Sequence, residues 1–583
     1  MLRVRWLGRV PYREAHALQA ALHERSREDY LLLLEHDHVY TLGVRADPAH
    51  VLVPPASVGA DLVRTDRGGD VTYHGPGQLV GYPIRSVSMG PNATPEYVHG
   101  VEEVLVVALQ TLGLAGVGRL AGYPGVWVDP EGSPRKIAAI GVRITRGRSM
   151  HGFALNVAPD LGYFSHIVPC GISEYPVTSL AAEGIDAPLA TVADAVVDAA
   201  ARVWGVTGID RQDVSWRDRS AGRTPLGADG AAADRAAGDG PADRTTAAVA
   251  VSSPVRRNLA RRLAQAGVAP EGGVSLSERK PPWVRVHAEM GPDYRALRRT
   301  LRRLELVTVC EEAGCPNIYE CFAEGTATFM INGERCTRAC GFCLVDTSHP
   351  RPLDPAEPAR VGEAVAGMGL AHAVVTAVAR DDLADGGASA FVATIDAIRA
   401  RCPDTVVEVL IPDCKGDDAA LGAIFGARPD VLNHNLETVA RLQRAVRPSA
   451  GYARSLAVLA RAKAAGLTTK SGIILGMGER RDEVVAAMTD LAGVGVDILT
   501  LGQYLRPSAA HLPVARWWRP EEFDELAAVG RDLGFAHVEA SPLTRSSYHA
   551  RGAATAAHRV ALASADRAPL AVGAGAGSPA GGQ

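Results

Sequence analysis

Apolar residues in the first third of the chain fall into short runs separated by polar turns. Runs of this length, bounded by Gly, Pro or Asp, are typical of β-strands. A segment over residues 95–113 instead has its apolar residues at helical spacing and predicts an amphipathic α-helix. Strands are predicted at YLLLLEH (30–36), HVYTLGV (38–44), QLVGYPI (78–84), GVWVD (125–129) and IAAIGVRI (137–144). The pattern predicts a mixed α/β domain over residues 1–215.

Beyond about Pro281 apolar runs alternate regularly with Ala/Leu/Arg segments of helical period, such as 451–465 and 481–493. Strand–helix alternation predicts βαβ units and a parallel sheet. The strands are predicted at ATFMI (327–331), HAVVTAV (372–378), VVEVLI (406–411), DVLNHN (430–435), SGIILG (471–476), DILTLG (497–502) and AHVEAS (536–541). About seven strands indicate a partial (β/α) barrel over residues 280–560, with its chemistry at the carboxyl ends of the strands.

A stretch of different composition separates these domains. Residues 220–250 contain eleven Ala, five Gly and no aromatic residue. Such a segment buries too little apolar surface to offset its ordering entropy, so residues 216–279 are predicted to be a flexible linker. The low-complexity end, residues 561–583, is predicted to be a disordered tail.

Overall composition excludes several classes of protein. Of the 583 residues 47% are hydrophobic and 22% charged, which is ordinary for a globular protein. The net charge of −4 does not favour a nucleic-acid partner. No apolar stretch reaches the roughly 18 residues of a membrane helix, and Arg residues near the N-terminus are unlike a signal peptide. We therefore expect a cytoplasmic protein that acts on neither nucleic acid nor membrane.

Six of the nine cysteines lie between Cys310 and Cys343, a density that in a reducing compartment favours metal binding over disulfides. Cys336, Cys340 and Cys343 follow the first barrel strand as C-x3-C-x2-C. Three thiolates at this spacing can hold one corner of an iron–sulfur cube and leave the fourth iron without a protein ligand. The alternative is a zinc site, which normally takes four ligands.

This motif resembles that of the radical S-adenosylmethionine superfamily. The resemblance implies that the open iron binds the methionine part of S-adenosylmethionine. Electron transfer then cleaves the sulfonium and gives a 5′-deoxyadenosyl radical, which removes a hydrogen atom from unactivated carbon.

A second triplet, Cys310, Cys315 and Cys321, is spaced C-x4-C-x5-C just upstream. Together with RSSYHA (545–550) it closely resembles lipoyl synthase, and further stretches agree: ARDDLADGG (379–387), EVLIPDCKGD (408–417), LNHNLETV (432–439), KSGIILGMGE (470–479) and LGQYLRPS (501–508). The resemblance implies that this triplet and a serine, Ser547 or else Ser546, hold an auxiliary [4Fe–4S] cluster.

An oxygen-bound iron is the labile corner of a sulfur-ligated cube, which favours a cluster dismantled to supply sulfur. A ferredoxin-like electron relay is the alternative for this cluster. The remaining cysteines of this half, Cys402 and Cys414, are predicted to be small buried apolar residues.

In the N-terminal domain the candidate chemistry rests on one cysteine, Cys170, and the only lysine, Lys136. A nearby ammonium lowers the pKa of a thiol and makes it nucleophilic. A Gly-rich polar segment, RGGDVTYHGPGQ (67–78), offers close backbone approach and polar contacts from Arg67 and His74.

With KIAAIGVRI, HGFALNV and PCGI, this segment resembles octanoyl-[acyl-carrier-protein]:protein octanoyltransferase, which shares its fold with biotin and lipoate protein ligases. The resemblance implies that Cys170 carries an octanoyl thioester and that Lys136 lowers its pKa and shuttles a proton. It implies an acyl and carrier site formed by Arg67, Gly68, Gly69, Asp70, Val71, Thr72, Tyr73 and His74, by Ala139, Ile140 and Gly141, and by Gly152, Phe153 and Ala154. The alternative in this fold is an ATP-dependent ligase, which needs no cysteine.

Together the resemblances imply a bifunctional protein lipoylation enzyme with two [4Fe–4S] clusters and S-adenosylmethionine as cofactors. Its first half moves octanoyl from acyl carrier protein to a lysine of a lipoyl domain, and its second half inserts sulfur at carbons 6 and 8. The implied partners are octanoyl-acyl carrier protein, the lipoyl domains of 2-oxoacid dehydrogenases, the glycine cleavage H protein and an electron donor such as flavodoxin or ferredoxin. The non-enzymatic alternative is an iron–sulfur carrier or redox sensor joined to a lipoyl-domain binding module.

Overall fold

The computed structural model describes residues 1–214, 261–268, 273–275, 277–285, 299, 303–304, 306–308, 317, 321 and 326–565. Elements are numbered within these residues. The N-terminal half contains β1 (Leu2–Arg9), α1 (Tyr12–Arg25), β2 (Asp29–Glu35), β3 (Val39–Leu42), β4 (Asp61–Arg64), β5 (Val71–His74), β6 (Gln78–Ile84), α2 (Ala93–Thr111), β7 (Val117–Leu120), β8 (Tyr123–Val128), β9 (Arg135–Thr145), β10 (Arg148–Asn156), α3 (Leu189–Val203) and β11 (Ile209–Asp213).

Eight of these strands form one mixed sheet in the order β11-β1-β2-β6-β10-β9-β8-β7, and β4-β3-β5 form a small second sheet. The run at 30–36 is buried on both faces of the large sheet: Leu31 and Leu33 face the cluster formed with α2 and α3, whereas Leu32 and Leu34 face the side of α1. This explains a continuous apolar run without alternation. The predicted mixed α/β domain is confirmed.

The C-terminal half contains β12 (Val307–Thr308), β13 (Thr326–Ile331), α4 (Glu357–Met368), β14 (His372–Ala377), α5 (Ala388–Arg401), β15 (Val406–Leu410), α6 (Asp418–Gly426), β16 (Val431–Asn433), α7 (Gln443–Val446), α8 (Tyr452–Ala464), β17 (Thr468–Leu475), α9 (Arg481–Gly493), β18 (Ile498–Gln503), α10 (Pro520–Asp532), β19 (His537–Ala540) and α11 (Ala550–Ala565).

Strands β13 to β19 are parallel and lie side by side in chain order, and β12 adds an antiparallel edge next to β13. Within the described residues β19 does not pair with β12, so the barrel is open. The seven strands and the partial (β/α) barrel predicted from the sequence are confirmed. The segments that follow β13, β14 and β15 meet at one edge of the sheet, where the chemistry of such folds is placed.

The two halves pack against each other. Helix α1 lies along α8, and residues of both helices belong to one buried apolar cluster. Part of the segment predicted to be a linker joins the same cluster, because Leu263, Ala266 and Val268 are buried in it. Residues 216–260 of the predicted linker and residues 566–583 of the predicted tail lie outside the described residues. The predicted start of the tail at residue 561 was wrong, because residues 561–565 are the last turn of α11. Among the helices that are described, none is both long and apolar enough to span a membrane.

Candidate active sites

Cys170 and Lys136, 34 positions apart in the sequence, line the same small cavity of the N-terminal half. The cavity wall is formed by side chains from the sheet strands and from the segments that follow them: Thr72, Gln78, Lys136, Ala139, Ala154, Asn156, Phe164, Pro169, Cys170 and Val177. The structure thus brings together the cysteine and the lysine that the sequence singled out separately.

Lys136 is held near the start of β9. Its side chain is buried, and Nζ lies 5.1 Å from the centre of the Trp127 ring. Its backbone N–H donates to Pro176 O (2.9 Å) and its carbonyl accepts from Thr178 N (2.9 Å), so that β9 is tied to the segment after Cys170. Lys136 and Cys170 thus line one cavity from two different segments of the chain.

Cys170 occupies a strained turn at residues 169–171. Its φ of 58° and the φ of 71° at Gly171 are both left-handed, a conformation that costs energy at a non-glycine residue and is common at functional sites. Asp70 closes one side of this turn: a Cβ added to Gly171 would lie 2.9 Å from Asp70 Oδ2, and the same oxygen contacts His50 Nδ1 at 2.6 Å.

Two of the predicted substrate segments are neighbours in one ladder. In the β9–β10 pair Ala139 lies opposite Ala154, Ile140 opposite Phe153 and Gly141 opposite Gly152. A Cβ at Gly141 would lie 2.9 Å from Gly68 O, so the glycine allows the 67–69 segment to lie directly on the strand. Three segments separated in sequence therefore meet beside Cys170.

Arg67 and His74 use their polar atoms within the protein. The Arg67 guanidinium is buried and donates to Thr41 O (2.6 Å) and Gly68 O (3.0 Å). His74 Nδ1 contacts Gln78 Oε1 at 2.9 Å, and burial lowers the pKa of His74 well below its usual value. Both side chains thus shape the loop around the cavity, and neither is among the residues that line it.

The rest of the 67–74 segment divides in the same way. Thr72 lines the cavity, whereas Val71 and Tyr73 are buried in a separate apolar cluster with Tyr40 and Phe164. Gly69 has a φ of 91°, a backbone conformation that glycine adopts without strain, and this allows the chain to turn before β5.

A polar group next to this site was not predicted. Asp66 Oδ1 lies 2.7 Å from His151 Nε2 and 3.4 Å from His16 Nε2, and Asp66 is also paired with Arg143. The bond from His151 holds the pKa of Asp66 well below its usual value. A signal was present, because Asp66 immediately precedes the Gly-rich segment and His151 begins HGFALN, but only the fold places them together.

In the C-terminal half the loop after β13 carries Cys336, Cys340 and Cys343, all partly buried. Neighbouring βα loops hold it in place. Cys336 N–H donates to Asp346 O (2.8 Å), Thr337 N–H donates to Ala379 O (3.0 Å), and Gly341 N–H donates to Val446 O (2.8 Å). Burial, reinforced by the other two thiols, raises the pKa of Cys340 to about 12. Burial also raises the pKa of Cys343, whereas Arg447 acts in the opposite direction on Cys340. A bound metal cation would favour the thiolate forms, so the loop suits a metal centre.

The spacing of these thiols distinguishes a cube from a zinc site. Among the described residues, the only three His, Cys, Asp or Glu ligand atoms that all lie within 4.8 Å of one another belong to His16, Asp66 and His151. At least two of the three sulfurs are therefore more than 4.8 Å apart, which exceeds the roughly 3.8 Å edge of a tetrahedron with 2.3 Å Zn–S bonds. The donor set fits an iron–sulfur cluster better than a single zinc ion.

Arg338, between the first two cysteines, is buried and fixes the loop from inside. Its guanidinium donates two bonds of 2.8 Å to Asp381 and one of 2.6 Å to Asp413, which follow β14 and β15. Its backbone N–H points at Cys336 Sγ, 3.4 Å away. Arg338 was not predicted, although it lies inside the cysteine motif.

Of the second triplet, Cys310 and Cys315 lie outside the described residues. Cys321 is buried, and its N–H donates to Asn317 O (3.0 Å). Asn317 Nδ2 in turn donates to Leu543 O (2.7 Å), two residues before the Arg545-Ser546-Ser547 segment. The fold therefore links Cys321, through Asn317, to the segment that precedes the C-terminal serines. Cys414 is buried as predicted, whereas Cys402 is only partly buried.

Comparison with known proteins identifies the C-terminal half. The Radical SAM superfamily matches residues 330–491, and the N-terminal domain of lipoyl synthase matches residues 265–315. Lipoyl synthase of Mycobacterium avium is 54% identical over 293 residues, which are 48% of this chain and 95% of that protein. The chain belongs to the lipoyl synthase family. Lipoyl synthase of Rubrobacter xylanophilus is 55% identical and covers 48% of this chain and 89% of its own length.

The N-terminal half of this lipoyl synthase family member matches a second family, the lipoyl protein ligase A/B catalytic domain, over residues 11–201. Among solved structures, a putative lipoate protein ligase of Thermoplasma acidophilum covers 36% of this chain and 88% of its own, with 20% identity and a TM-score of 0.31. Methylornithine synthase covers 36% and 70%, with 14% identity and a TM-score of 0.30.

The predicted fusion of the two families is thus confirmed. The chain is an enzyme with a lipoyl or octanoyl transferase-type domain and a radical SAM lipoyl synthase domain, whose chemistry uses S-adenosylmethionine and iron–sulfur.

Proposed function

We propose that this chain performs both steps of protein lipoylation: octanoyl transfer from acyl carrier protein to a lipoyl-domain lysine through Cys170, and then insertion of sulfur at carbons 6 and 8. The observation that supports the first step is the cavity shared by Cys170 and Lys136. The second rests on the lipoyl synthase family and on the cysteine loop after β13.

In the transfer step the Cys170 thiol gives its proton to the Lys136 amine and attacks the carrier thioester as the thiolate, and the carrier sulfur leaves as the thiol with the proton that Lys136 returns. The amine of the acceptor lysine then attacks the Cys170 thioester, an amide forms, and the Cys170 sulfur is released. Lys136 stabilises the thiolate and exchanges a proton with the incoming amine. Ala139 and Ala154, small and directly opposed, leave room for the acyl chain beside Cys170.

For the second step we assign one [4Fe–4S] cluster to Cys336, Cys340 and Cys343, and an auxiliary cluster to Cys310, Cys315, Cys321 and Ser547. When bound, these groups and S-adenosylmethionine would supply the radical that removes hydrogen and the sulfur that replaces it. Arg338 holds the cysteine loop against Asp381 and Asp413, so that its thiols face the carboxyl edge of the barrel.

The partners that follow are octanoyl-acyl carrier protein, lipoyl domains of 2-oxoacid dehydrogenases, the glycine cleavage H protein, and flavodoxin or ferredoxin as electron donor, in the cytoplasm. The domain boundaries at residues 215 and 280 remain part of this proposal.

Mass spectrometry after incubation with octanoyl-acyl carrier protein tests the first step. We expect one octanoyl group on Cys170 of the unsubstituted enzyme and none on the Cys170→Ser variant. The acceptor domain should become octanoylated only with the enzyme that retains Cys170. Octanoyl transfer by Cys170→Ser at the normal rate, or release of AMP from ATP with free octanoate, would favour the ligase alternative.

Anaerobic reconstitution tests the second step. Two cubes correspond to about eight iron and eight sulfide per chain, and 5′-deoxyadenosine should form with the lipoyl product. Enzyme reconstituted with labelled sulfide should give labelled lipoyl groups. Unlabelled product would identify the auxiliary cluster as an electron relay, and zinc in place of iron would refute the radical assignment.

A further inference from the structure

The two halves share an interface that is as dry as the core of a domain. Leu18 and Leu22 on α1 and Leu456 and Leu459 on α8 are at most 2% exposed and lie in one apolar cluster. Apolar burial of this kind is typical of permanent contacts rather than of domains that only share a tether.

A partly buried ion pair crosses this interface at the first turn of α1. The Glu14 carboxylate is buried, and its Oε1 accepts a 2.6 Å bond from Arg454 Nε at the start of α8. A Cβ at Gly416 would lie 2.4 Å from the same oxygen, so the loop after β15 lies directly against Glu14. The transferase half therefore contacts the carboxyl edge of the barrel and not only its outer surface.

From Arg454 the charges continue to the cysteine loop. Arg454 Nη1 lies 4.0 Å from Asp413 Oδ2, a buried oxygen that has no hydrogen-bond partner among the described residues. The other oxygen of Asp413 accepts the 2.6 Å bond from Arg338, which lies between Cys336 and Cys340. Anions and cations thus alternate from Glu14 to the loop.

This order predicts what Glu14 does. While Glu14 is charged, Arg454 binds Glu14 and stays 4.0 Å from Asp413. The short bond that Asp413 accepts then comes from Arg338. Without the Glu14 charge, the nearest anion for Arg454 is the unbonded oxygen of Asp413, 4.0 Å away. A second arginine on the same carboxylate weakens its hold on Arg338, because the two cations compete for one charge.

A cavity of about 290 Å³ lies beside this contact and is lined by both halves. Its walls come from α1 and β4 on one side, and from segments 381–386 and 414–417 on the other. Residues of the transferase half thus line a cavity together with the loops at the carboxyl edge of the barrel.

We propose that helix α1 of the transferase half is a positioning element of the radical SAM site, acting from Glu14 through Arg454 and Asp413 on Arg338 and its cysteine loop. This deepens the proposed function, because it assumes that Cys336, Cys340 and Cys343 hold a cluster. It makes the radical half dependent on the half that precedes it.

The test compares full-length Glu14→Gln with Arg13→Gln. Arg13 is the neighbouring residue and also pairs across the interface, with Asp418 at 3.9 Å, but both side chains of this pair are exposed. In Glu14→Gln we expect 5′-deoxyadenosine formation to fall about tenfold and the EPR spectrum of the reduced enzyme with S-adenosylmethionine to change. Octanoyl transfer, whose residues do not include Glu14, should stay within about twofold. Arg13→Gln should match the unsubstituted enzyme in all three.

Glu14→Asp keeps the charge and should restore most of the 5′-deoxyadenosine rate, which a purely volumetric role of Glu14 does not predict. Unchanged rate and EPR spectrum in Glu14→Gln would overturn the proposal, as would equal losses in Glu14→Gln and Glu14→Asp. If Glu14→Gln does not fold, Glu14→Asp alone decides: a folded variant with less than a tenth of the normal rate contradicts the proposal. Failure of the proposed function is distinct, because then the unsubstituted enzyme itself would form no 5′-deoxyadenosine.

Discussion

Arg5 on β1 and Asp490 on α9 are 485 positions apart in the sequence and form a buried ion pair, with Nε 2.8 Å from Oδ2 and 3.0 Å from Oδ1. The carboxylate also accepts from Tyr30 and Tyr452, one from each half of the chain, and Arg5 makes a further bond to Asp210. Every polar group in this cluster is satisfied by another, which is the condition under which charge is tolerated in a dry interface.

Replacing Asp490 by Asn should therefore destabilise the protein strongly. Removal of one partner leaves Arg5 charged, buried and paired only with Asp210. Breaking a buried ion pair in this way lowers the free energy of unfolding by about 3–5 kcal/mol. Because Arg5 keeps its bond to Asp210, we expect a loss of about 3 kcal/mol, at the lower end of this range. Urea unfolding followed by a signal from each half measures it. The exposed Arg13–Asp418 pair supplies the control, since Arg13→Gln should change stability by less than about 1 kcal/mol. Equal midpoints for Asp490→Asn and the unsubstituted protein would contradict the assignment.

A second buried pair, inside the barrel, predicts a loss of stability in acid. Lys470 Nζ on β17 lies 2.9 Å from Glu408 Oε1 on β15, and His372 approaches the other oxygen. Burial alone disfavours the carboxylate, but Lys470 and His372 outweigh it and lower the pKa of Glu408 to about 2 from 4.5. A depressed pKa stabilises the folded state above the unfolded value, so this contribution is complete above about pH 4.5 and is lost as the pH falls toward about 2.

The double variant Glu408→Gln/Lys470→Met isolates that contribution. Unfolding free energies measured across the acid range should fall less steeply in the double variant than in the unsubstituted protein. Lys470→Met alone should cost about 3 kcal/mol at neutral pH, because it leaves Glu408 buried without its cation. Parallel pH profiles for the two proteins would show that Glu408 is not the group responsible.

Local pattern was sufficient for the parallel strands of the barrel and for the residues that bear chemistry. All seven barrel strands were predicted because each is a compact apolar run between polar segments. The C-x3-C-x2-C spacing of Cys336, Cys340 and Cys343 indicates a metal-binding loop before the fold is known. By contrast β1 was not predicted, because its Arg3 and Arg5 interrupt the apolar pattern; both are paired with carboxylates that the fold supplies, Asp210 among them.

The partners of these residues were beyond local pattern. That Cys170 lies near Lys136 followed from resemblance, since a turn at 169–171 and a strand at 135–145 share a cavity only through the sheet order. The contact of Glu14 with Arg454 spans 440 positions and joins two families that are recognisable separately. Spacing and periodicity carry no information at that separation.

Gly141→Ala should impair octanoyl transfer without affecting the radical half. The new Cβ would lie 2.9 Å from Gly68 O and 3.2 Å from Arg67 Cδ, so the 67–69 segment must move away from β9. Overpacking of this kind costs about 1–3 kcal/mol, which corresponds to about tenfold or more in transfer rate if the displacement reaches the Cys170 cavity. Gly118→Ala on β7, whose Cβ would meet only Pro130 Cγ at 3.5 Å, is the matched control. Equal transfer rates for both variants would contradict the assignment of residues 67–69 to the octanoyl-transfer site.

Asn317→Ala should uncouple sulfur insertion from cleavage of S-adenosylmethionine. The Asn317 carbonyl accepts from Cys321 N–H and the Asn317 side-chain amide donates to Leu543 O, so Asn317 links Cys321 to the segment that precedes the serines proposed as cluster ligands. Cys336, Cys340 and Cys343 lie in a different loop. Losing this bond frees the 543–547 segment to move away from Cys321. We expect iron to fall from about eight toward about four per chain and lipoyl product to decrease, while 5′-deoxyadenosine still forms. Ser389→Ala changes an exposed side chain in the first turn of α5 and leaves the bond from Ser389 N–H to Asp385 in place, so it provides the control for an unspecific effect of substitution. Full iron loading and normal product from Asn317→Ala would show that the Cys321 turn and the serine segment do not hold a common cluster.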